Sequence, residues 1–321
     1  MKVLLLGAAE FFAPFIAEAL AAARQEVAVL TRCTFDFGES VRSLPDDPAD
    51  PAAIAAAVRS WRPDAVIDML HDTPAHAQAV LAACAGKVTR SVHLSSGAVY
   101  GPNPICPVDE EADLVRPDTA PAPVGALAEA DRIVLSAIEE GAPAVILRLA
   151  ELYGPRDPRC AEWFFARRAL DGRPHIAVPD AGLAICHRGF VQNIARGVAK
   201  AVTSARASGQ VFNLGEEKLY TLAQLARGVA RALDHEWDIF SVPGHRWRTP
   251  YDHTVFFDLR KARARLRYRD CMIPRDGLEL TLAWLCQEPR GDEWAWPGIE
   301  EPFNYAREDE LIEADGRKIE C

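Results

Sequence analysis

A candidate anion-binding turn lies near the start of the sequence. An apolar run at residues 2–6 is typical of a buried strand; it is followed by Gly7 and then by an alanine-rich helical run. In a glycine-rich turn of this kind, the second glycine lets the backbone approach a diphosphate and the third lets helix and strand pack closely. Glu10 and Ala13 stand at those two places. Ala13 is a mild change, whereas the Glu10 carboxylate competes with a diphosphate for the amides at the helix N-terminus.

Two further segments carry the other groups of chemical interest. Residues 92–101 read Val-His-Leu-Ser-Ser-Gly-Ala-Val-Tyr-Gly and contain Ser96 and Tyr100. Residues 124–132 read Val-Gly-Ala-Leu-Ala-Glu-Ala-Asp-Arg. The second of these runs holds neither Tyr nor Lys, so it lacks the two side chains that often exchange protons with a substrate hydroxyl group.

Together these segments resemble the extended short-chain dehydrogenase/reductase superfamily, of the NAD-dependent epimerase/dehydratase type. Segments 152–157, 188–195, 211–215 and 257–262 also look like landmarks of that family, in the expected order. In the family the turn reads GxxGxxG. A Tyr and a Lys stand about where Val124 and Ala128 stand here, although the register also allows the Lys to be deleted.

The resemblance implies the family's fold but not its usual chemistry. In the family, a Tyr phenolate whose pKa is lowered by a nearby Lys exchanges the substrate proton while hydride moves to a nicotinamide, and a Ser or Thr orients the oxygen. Ser96 matches the Ser/Thr position. We therefore expect Ser96 to act with a substitute acid/base group, and Tyr100 and His187 are the first candidates. Tyr100 also belongs to a structural Val-Tyr-Gly segment of the family, and a loop His is often only a turn residue.

The pattern of elements predicts an α/β protein with a doubly wound parallel sheet, Rossmann-like, and a smaller C-terminal substrate lobe. Strand-like runs at 26–31, 64–69, 91–94 and 144–147 alternate with amphipathic segments near 51–60, 73–85 and 126–140. Beyond residue 155 we expect helices near 159–171, 191–204, 221–233 and 275–286. The predicted boundaries are 1–155 for the dinucleotide-binding-type domain, 156–287 for an interleaved substrate lobe, and 288–321 for an acidic, aromatic-containing extension.

No cofactor can be assigned from the sequence, and we predict weak or absent binding of NAD and NADP because of Glu10. If Glu10 instead points to solvent, a cofactor binds normally. Arg32 follows the second strand, where a basic residue accommodates the NADP 2'-phosphate, so NADP is the better candidate; Arg32 is equally well a solvated charge. His71 follows the strand at 64–69 and faces the cofactor groove, or else it only precedes a helix capped by Asp72 or Thr73.

Candidate substrate-binding residues lie in the second half of the chain. Arg246 and Tyr251 belong to a polar and aromatic cluster at 246–253, and an Arg there suits an anionic substrate. Tyr153 lies in a Tyr-Gly-Pro turn, and Arg188 follows His187. A solvated loop and a structural turn are the alternative interpretations for these residues.

The amino-acid composition and net charge of the chain disfavour several classes of binding partner. The chain has 321 residues, 8 scattered Cys without CxxC pairs, and a formal net charge of -10. We expect free thiols in a reducing cytoplasm, no metal site, no membrane span, and no nucleic-acid partner, because nucleic-acid binding needs clustered Lys and Arg. A small-molecule substrate is the expected partner, and a homodimer is left open.

Three functions fit these observations. The first is an enzyme acting on a small hydroxylated or carbonyl metabolite through redox-neutral isomerisation, elimination or hydrolysis. The second is a catalytically inactive Rossmann scaffold that binds a ligand or serves as a partner subunit. The third is an ordinary NADP-dependent reductase or epimerase.

Overall fold

The first half of the chain alternates strands with helices, as predicted. The strands are β1 Lys2–Leu6, β2 Glu26–Thr31, β3 Val41–Pro45, β4 Ala65–Asp68, β5 Arg90–Ser96, β6 Ala144–Leu149, β7 Glu151–Tyr153, β8 His175–Pro179, β9 Ile185–Cys186, β10 Arg188–Phe190, β11 Gln210–Leu214, β12 Tyr220–Thr221, β13 Asp238–Val242 and β14 Arg317–Lys318. The helices are α1 Ala13–Ala22, α2 Pro51–Trp61, α3 Pro74–Cys84, α4 Ala122–Glu139, α5 Trp163–Leu170, α6 Val191–Thr203, α7 Leu222–Ala232, α8 Arg260–Leu266, α9 Pro274–Gln287 and α10 Tyr305–Asp315. The computed structural model describes residues 1–7, 11–32, 36–38, 40–102, 105–252 and 254–320.

Seven parallel strands form the central sheet, in the order β11-β6-β5-β4-β1-β2-β3. The predicted doubly wound parallel sheet is therefore confirmed. Its central strands are buried on both faces, which explains their nearly continuous apolar sequences. The strand order reverses beside β1, with β2 on one side and β4 on the other, and such a reversal opens a crevice at the carboxyl ends of the strands.

The chain divides into two compact units. Unit 1 comprises Met1–Glu151, Val191–Glu217 and Phe257–Cys271, and unit 2 comprises Leu152–Phe190, Lys218–Phe256 and Met272–Cys321. The chain crosses between the units several times, because α6, β11 and α8 return to unit 1. Residues 288–321, the acidic and aromatic-containing extension of the sequence analysis, belong to unit 2.

Unit 2 has an apolar core of its own. It contains Trp163, Phe164 and Phe165 from α5 together with residues of α7 and α9. Trp294 and Leu311, from the acidic C-terminal segment, are buried in the same core. Burial of these two side chains makes the C-terminal segment part of the folded unit.

Two further observations concern the described residues only. None of their helices is both long and apolar enough to cross a bilayer. The six cysteines that the structure describes are all free thiols.

Candidate active site at the carboxyl ends of β1, β4 and β5

Gly7 follows β1 and requires glycine for two reasons. Its φ of 84° is in the left-handed region, and a Cβ atom there would lie 3.0 Å from the Leu70 side chain. Its amide donates to the Leu30 carbonyl oxygen at 3.0 Å. Glu10 lies outside the described residues. Ala13, the first residue of α1, is fully buried, so the fold accommodates its methyl group.

Arg32, the proposed 2'-phosphate ligand, is an exposed residue directly after β2. Its Nη1 lies 3.4 Å from Asp47 Oδ2, and the Arg32 side chain is 73% exposed. An ion pair this exposed is worth less than about 1 kcal/mol. Asp47 therefore does not prevent Arg32 from meeting a phosphate, and the NADP assignment stays a prediction.

The helix α4 carries the positions where the family places its Tyr and Lys. Its 18 residues include neither amino acid. Ala128 is fully buried, and Val124 is half-buried. Gly125 is also tightly placed, since a Cβ atom there would lie 3.0 Å from the backbone of Pro117. Alkyl groups and a close backbone contact thus occupy the face on which an acid/base pair is expected.

Ser96 is the last residue of β5 and is half-buried. Its Oγ accepts a hydrogen bond from the Ala98 amide at 3.2 Å, which caps the short 3-10 helix Gly97–Tyr100. A hydroxyl that accepts one bond can still donate its proton to a substrate oxygen. The orienting role of Ser96 therefore stays a prediction, with its hydroxyl proton still available for donation.

Tyr100 lies in a buried polar network. Its hydroxyl donates to Asn213 Oδ1 at 2.6 Å and accepts from Arg148 Nη1 at 3.0 Å. Burial raises the pKa of this phenol to about 12, against the opposing charge of Arg148. A phenol of this kind transfers protons poorly near neutral pH, so the geometry favours a structural role over the predicted catalytic one.

The same network continues from Arg148 to the ends of β4 and β5. Arg148 Nε donates to Asp131 Oδ2 at 2.9 Å, and Asp131 Oδ1 lies 3.0 Å from His71 Nε2. Asp68, the last residue of β4, neighbours His93 in the sheet register. The Asp68 carboxylate lies 3.2 Å from His93 Nδ1 and 3.5 Å from His71 Nδ1.

Burial and hydrogen bonding shift the pKa values of Asp68, His71 and His93 in opposite directions. Burial would raise the pKa of Asp68, but hydrogen bonds with His71, His76 and His93 hold it well below its usual range. Burial would lower the pKa of His71, but its bonds to Asp131 and Asp68 raise it to about 9. For His93, burial prevails and lowers the pKa.

The sequence analysis identified His71 but not the other members of the network, which are Asp68, His93, Asp131 and Arg148. His71 was assigned to the cofactor groove, and Thr73 indeed caps α3, accepting from the His76 amide at 3.3 Å. The available signal was an ionisable residue at a buried position of each strand: Asp68 ends the apolar β4, Arg148 lies within the apolar β6, and His93 lies between Val92 and Leu94 in β5. A charged or ionisable residue at a fully buried strand position needs a partner.

Three of the predicted substrate ligands meet in unit 2. Arg188 Nη1 donates to Glu162 Oε1 at 2.8 Å, and the Tyr251 hydroxyl donates to the same oxygen at 3.1 Å. The Arg188 guanidinium also lies 4.1 Å from the centre of the Tyr153 ring. Glu162 is fully buried, so its carboxylate balances the positive charge of Arg188 within the protein. Arg188 also lines a cavity of about 270 Å³ between α7 and α9.

Two further predicted site residues, Arg246 and His187, also belong to unit 2. Arg246 is exposed and pairs with Asp315. His187 is only 6% exposed, between β9 and β10. Ser96 belongs to unit 1, so catalysis by Ser96 with His187 stays a prediction.

A sequence model described as the NAD dependent epimerase/dehydratase family matches residues 3–215, which span the sheet from β1 to β11. The chain belongs to this family. Family membership agrees with the strand order, with Gly7 at the turn and with Ser96 at the end of β5.

Individual relatives are distant. The chain is 26% identical over 246 residues to the chloroplast stem-loop binding protein of 41 kDa b of Arabidopsis thaliana, covering 72% of this chain and 63% of that protein. It is 28% identical over 251 residues to 2'-dehydrokanamycin reductase of Streptomyces kanamyceticus, covering 76% and 70%. The chain thus spans less than two thirds of the length of the chloroplast relative.

A solved structure shows the same fold. UDP-glucose-4-epimerase of Stenotrophomonas maltophila, with bound NAD and formylated UDP-arabinopyranose, superposes with a TM-score of 0.74 at 18% identity. The superposition covers 90% of this chain and 98% of that one. At this identity the similarity concerns the fold alone.

Proposed function

We propose that this chain is an enzyme that acts on a small hydroxylated or carbonyl metabolite without a Tyr-Lys pair. The observation that carries the proposal is α4, which holds Val124 and Ala128 where the family has its acid and base. Alkyl side chains exchange no protons. Redox-neutral isomerisation, elimination or hydrolysis with a different acid/base group suits this site better than hydride transfer.

The carboxyl edge of the sheet supports a ligand site. Gly7, His71 and Ser96 lie at or just beyond the ends of β1, β4 and β5, and open α/β sheets bind ligands at this edge, where the strand order reverses. The relatives named above include a reductase of an aminoglycoside derivative and an epimerase of a nucleotide sugar. We therefore favour a sugar-like substrate with several hydroxyl groups.

The proposed partner is a small molecule in the cytoplasm, and a homodimer remains open. The chloroplast relative is named as a stem-loop binding protein. The net charge of -10 argues against a nucleic-acid partner here, because phosphate backbones repel an acidic surface.

Two alternative functions each have some support. Loss of the Tyr and Lys also suits an inactive scaffold that binds a ligand or a partner subunit. The similarity to 2'-dehydrokanamycin reductase and the exposed Arg32 favour an NADP-dependent reductase. Cofactor binding separates that reductase from the other functions.

Ser96→Ala tests the proposed function. The chain is incubated in D₂O with a panel of nucleotide sugars, aminoglycosides and their keto derivatives, and NMR follows deuterium incorporation and new products. Loss of one orienting hydrogen-bond donor is expected to lower turnover by about 10²-fold. Ser136→Ala, an exposed change near the end of α4, serves as the control and should retain the parental rate.

Equal rates in the two serine variants would remove Ser96 from the site. Absence of turnover across the panel, in a folded chain that binds a panel member, would favour the inactive scaffold. In a parallel incubation with added NADPH, its stoichiometric consumption would favour the reductase.

Glu10→Gly tests the cofactor prediction. Calorimetric titration of the parental chain with NAD and NADP should give dissociation constants above about 1 μM, weaker than roughly -8 kcal/mol. Removing the carboxylate from the diphosphate position should strengthen binding by about tenfold, since a charge at a helix N-terminus is worth up to about 2 kcal/mol.

Two substitutions that each remove one negative charge separate the local effect at position 10 from the effect of net charge. Glu10→Gln should show part of the increase in cofactor affinity expected for Glu10→Gly. Glu18→Gln, an exposed change on α1, should leave the affinity unchanged. Submicromolar binding by the parental chain would show that the turn tolerates Glu10.

A further inference from the structure

Three donor atoms converge on one buried point of unit 1. Asp68, His71 and His93 are each fully buried, and each offers one ligand atom within 4.8 Å of the other two. We propose that these three residues bind one divalent transition-metal ion, a site that our sequence analysis did not anticipate. The proposal concerns binding alone and does not rest on the proposed function.

The outer atoms of the three residues are held by neighbouring groups. His71 Nε2 lies 3.0 Å from Asp131 Oδ1, and His93 Nε2 lies 3.1 Å from Ser91 Oγ. In protein metal sites, the ring nitrogen of a histidine ligand that faces away from the metal usually donates to a carboxylate or another oxygen. This arrangement fixes both rings with their Nδ1 atoms directed inward.

The third ligand is oriented in the same way. Asp68 Oδ1 lies 2.9 Å from His76 Nε2 and accepts from the backbone amides of Leu70 and His71, each at 3.1 Å. These bonds occupy Oδ1 and leave Oδ2 toward the two imidazole Nδ1 atoms. His71 reaches its place through a backbone φ of 31°, a left-handed conformation that is uncommon outside glycine.

The spacing of the inner atoms suits a metal ion. Asp68 Oδ2 lies 3.2 Å from His93 Nδ1 and 3.5 Å from His71 Nδ1. Two ligands at about 2.1 Å from a tetrahedral zinc ion are about 3.4 Å apart. Two imidazoles and one carboxylate are typical of zinc or non-haem iron sites with a further position open.

A proton on His71 is the competing occupant of this point. A doubly protonated imidazole needs two acceptors, but the buried His71 Nδ1 lies 3.5 Å from Asp68 Oδ2, beyond the roughly 2.7–3.2 Å of an ordinary N–H···O hydrogen bond. A metal ion satisfies this nitrogen together with Asp68 Oδ2. The length of this contact, close to the separation of two ligands on one metal ion, therefore favours the ion over the proton.

The experiment measures metal content and affinity in the full chain. The protein is expressed with added Zn²⁺ or Fe²⁺, purified without metal-affinity resin or chelator, and assayed by plasma mass spectrometry. We expect about one ion per chain, and comparison of the two preparations shows which of the two ions the site prefers. After removal of the metal, Co²⁺ should restore one equivalent with the visible absorption of a four-coordinate ion.

Variants connect the ion to these ligands. Asp68→Asn and His93→Gln should abolish stoichiometric binding, and His76→Gln, which alters only the support of Asp68, should weaken it by about 10–100-fold. His245→Gln, an exposed change in unit 2, should leave it unchanged. Circular dichroism confirms folding, and where a ligand variant fails to fold, the comparison of His76→Gln with His245→Gln decides.

Two results would overturn the proposal. One is a parental chain that neither retains metal nor binds Zn²⁺, Fe²⁺ or Co²⁺ with a defined stoichiometry. The other is unchanged affinity in the folded variants of Asp68, His93 and His76. Either result would assign the point between these side chains to a proton on His71.

Discussion

Replacing Glu308 with alanine is expected to lower the free energy of unfolding by about 3–5 kcal/mol. Glu308 in α10 and Arg168 in α5 are both fully buried, and Arg168 Nε donates to Glu308 Oε2 at 3.0 Å. Glu308 Oε1 also accepts from the Ala177 amide at 2.9 Å. Removing the carboxylate leaves a buried guanidinium without its counter-charge and a strand amide without its acceptor.

Glu310→Ala is the matched control, because Glu310 is exposed on the same helix. Urea denaturation followed by circular dichroism should place it within about 0.5 kcal/mol of the parental chain. If Glu308→Ala behaves like this control, α10 is not anchored by the ion pair. The expected difference would show that the acidic C-terminal segment is required for the stability of unit 2.

The sheet was predictable because its signal is local. Central parallel strands are buried on both faces and appear as short apolar runs, and amphipathic segments between them indicate crossover helices. Those patterns correctly predicted β2, β4, β5 and β6, and the helices between them. The edge strand β3 was missed because it is mostly exposed. The helix α10 was missed because five of its eleven residues are acidic and only Glu308 and Leu311 are buried.

The candidate site was less predictable than the sheet, for a physical reason. Sequence spacing identified Ser96 and the absence of Tyr and Lys in α4, because those features lie within one element. The pairing of Asp68 with His93 depends on the register of two strands, and the contact of His71 with Asp131 joins residues 60 positions apart. Contacts set by register and by helix packing cannot be derived from periodicity alone.

Arg148→Met is expected to destabilise unit 1 by about 3–5 kcal/mol. Arg148 is 1% exposed; it donates to Asp131, to the Tyr100 hydroxyl and, through Nη1 at 3.0 Å, to the Glu110 carbonyl oxygen. Methionine fills a similar volume, so the expected loss is mainly electrostatic. The substitution leaves Asp131 with a buried negative charge that, among the described residues, His71 alone opposes.

The effect should be strongest beside the proposed active site. Tyr100 ends the short 3-10 helix that Ser96 caps, so loss of the Arg148 bond should loosen residues 96–101 and speed their amide hydrogen exchange. Arg59→Met, an exposed change on α2, is the control and should alter neither stability nor exchange. A folded Arg148→Met chain with parental stability and parental exchange at 96–101 would show that Arg148 is not required. The predicted result would instead mean that one buried network, running from Tyr100 through Arg148 and Asp131 to His71, keeps residues 96–101 and the carboxyl end of β4 rigid.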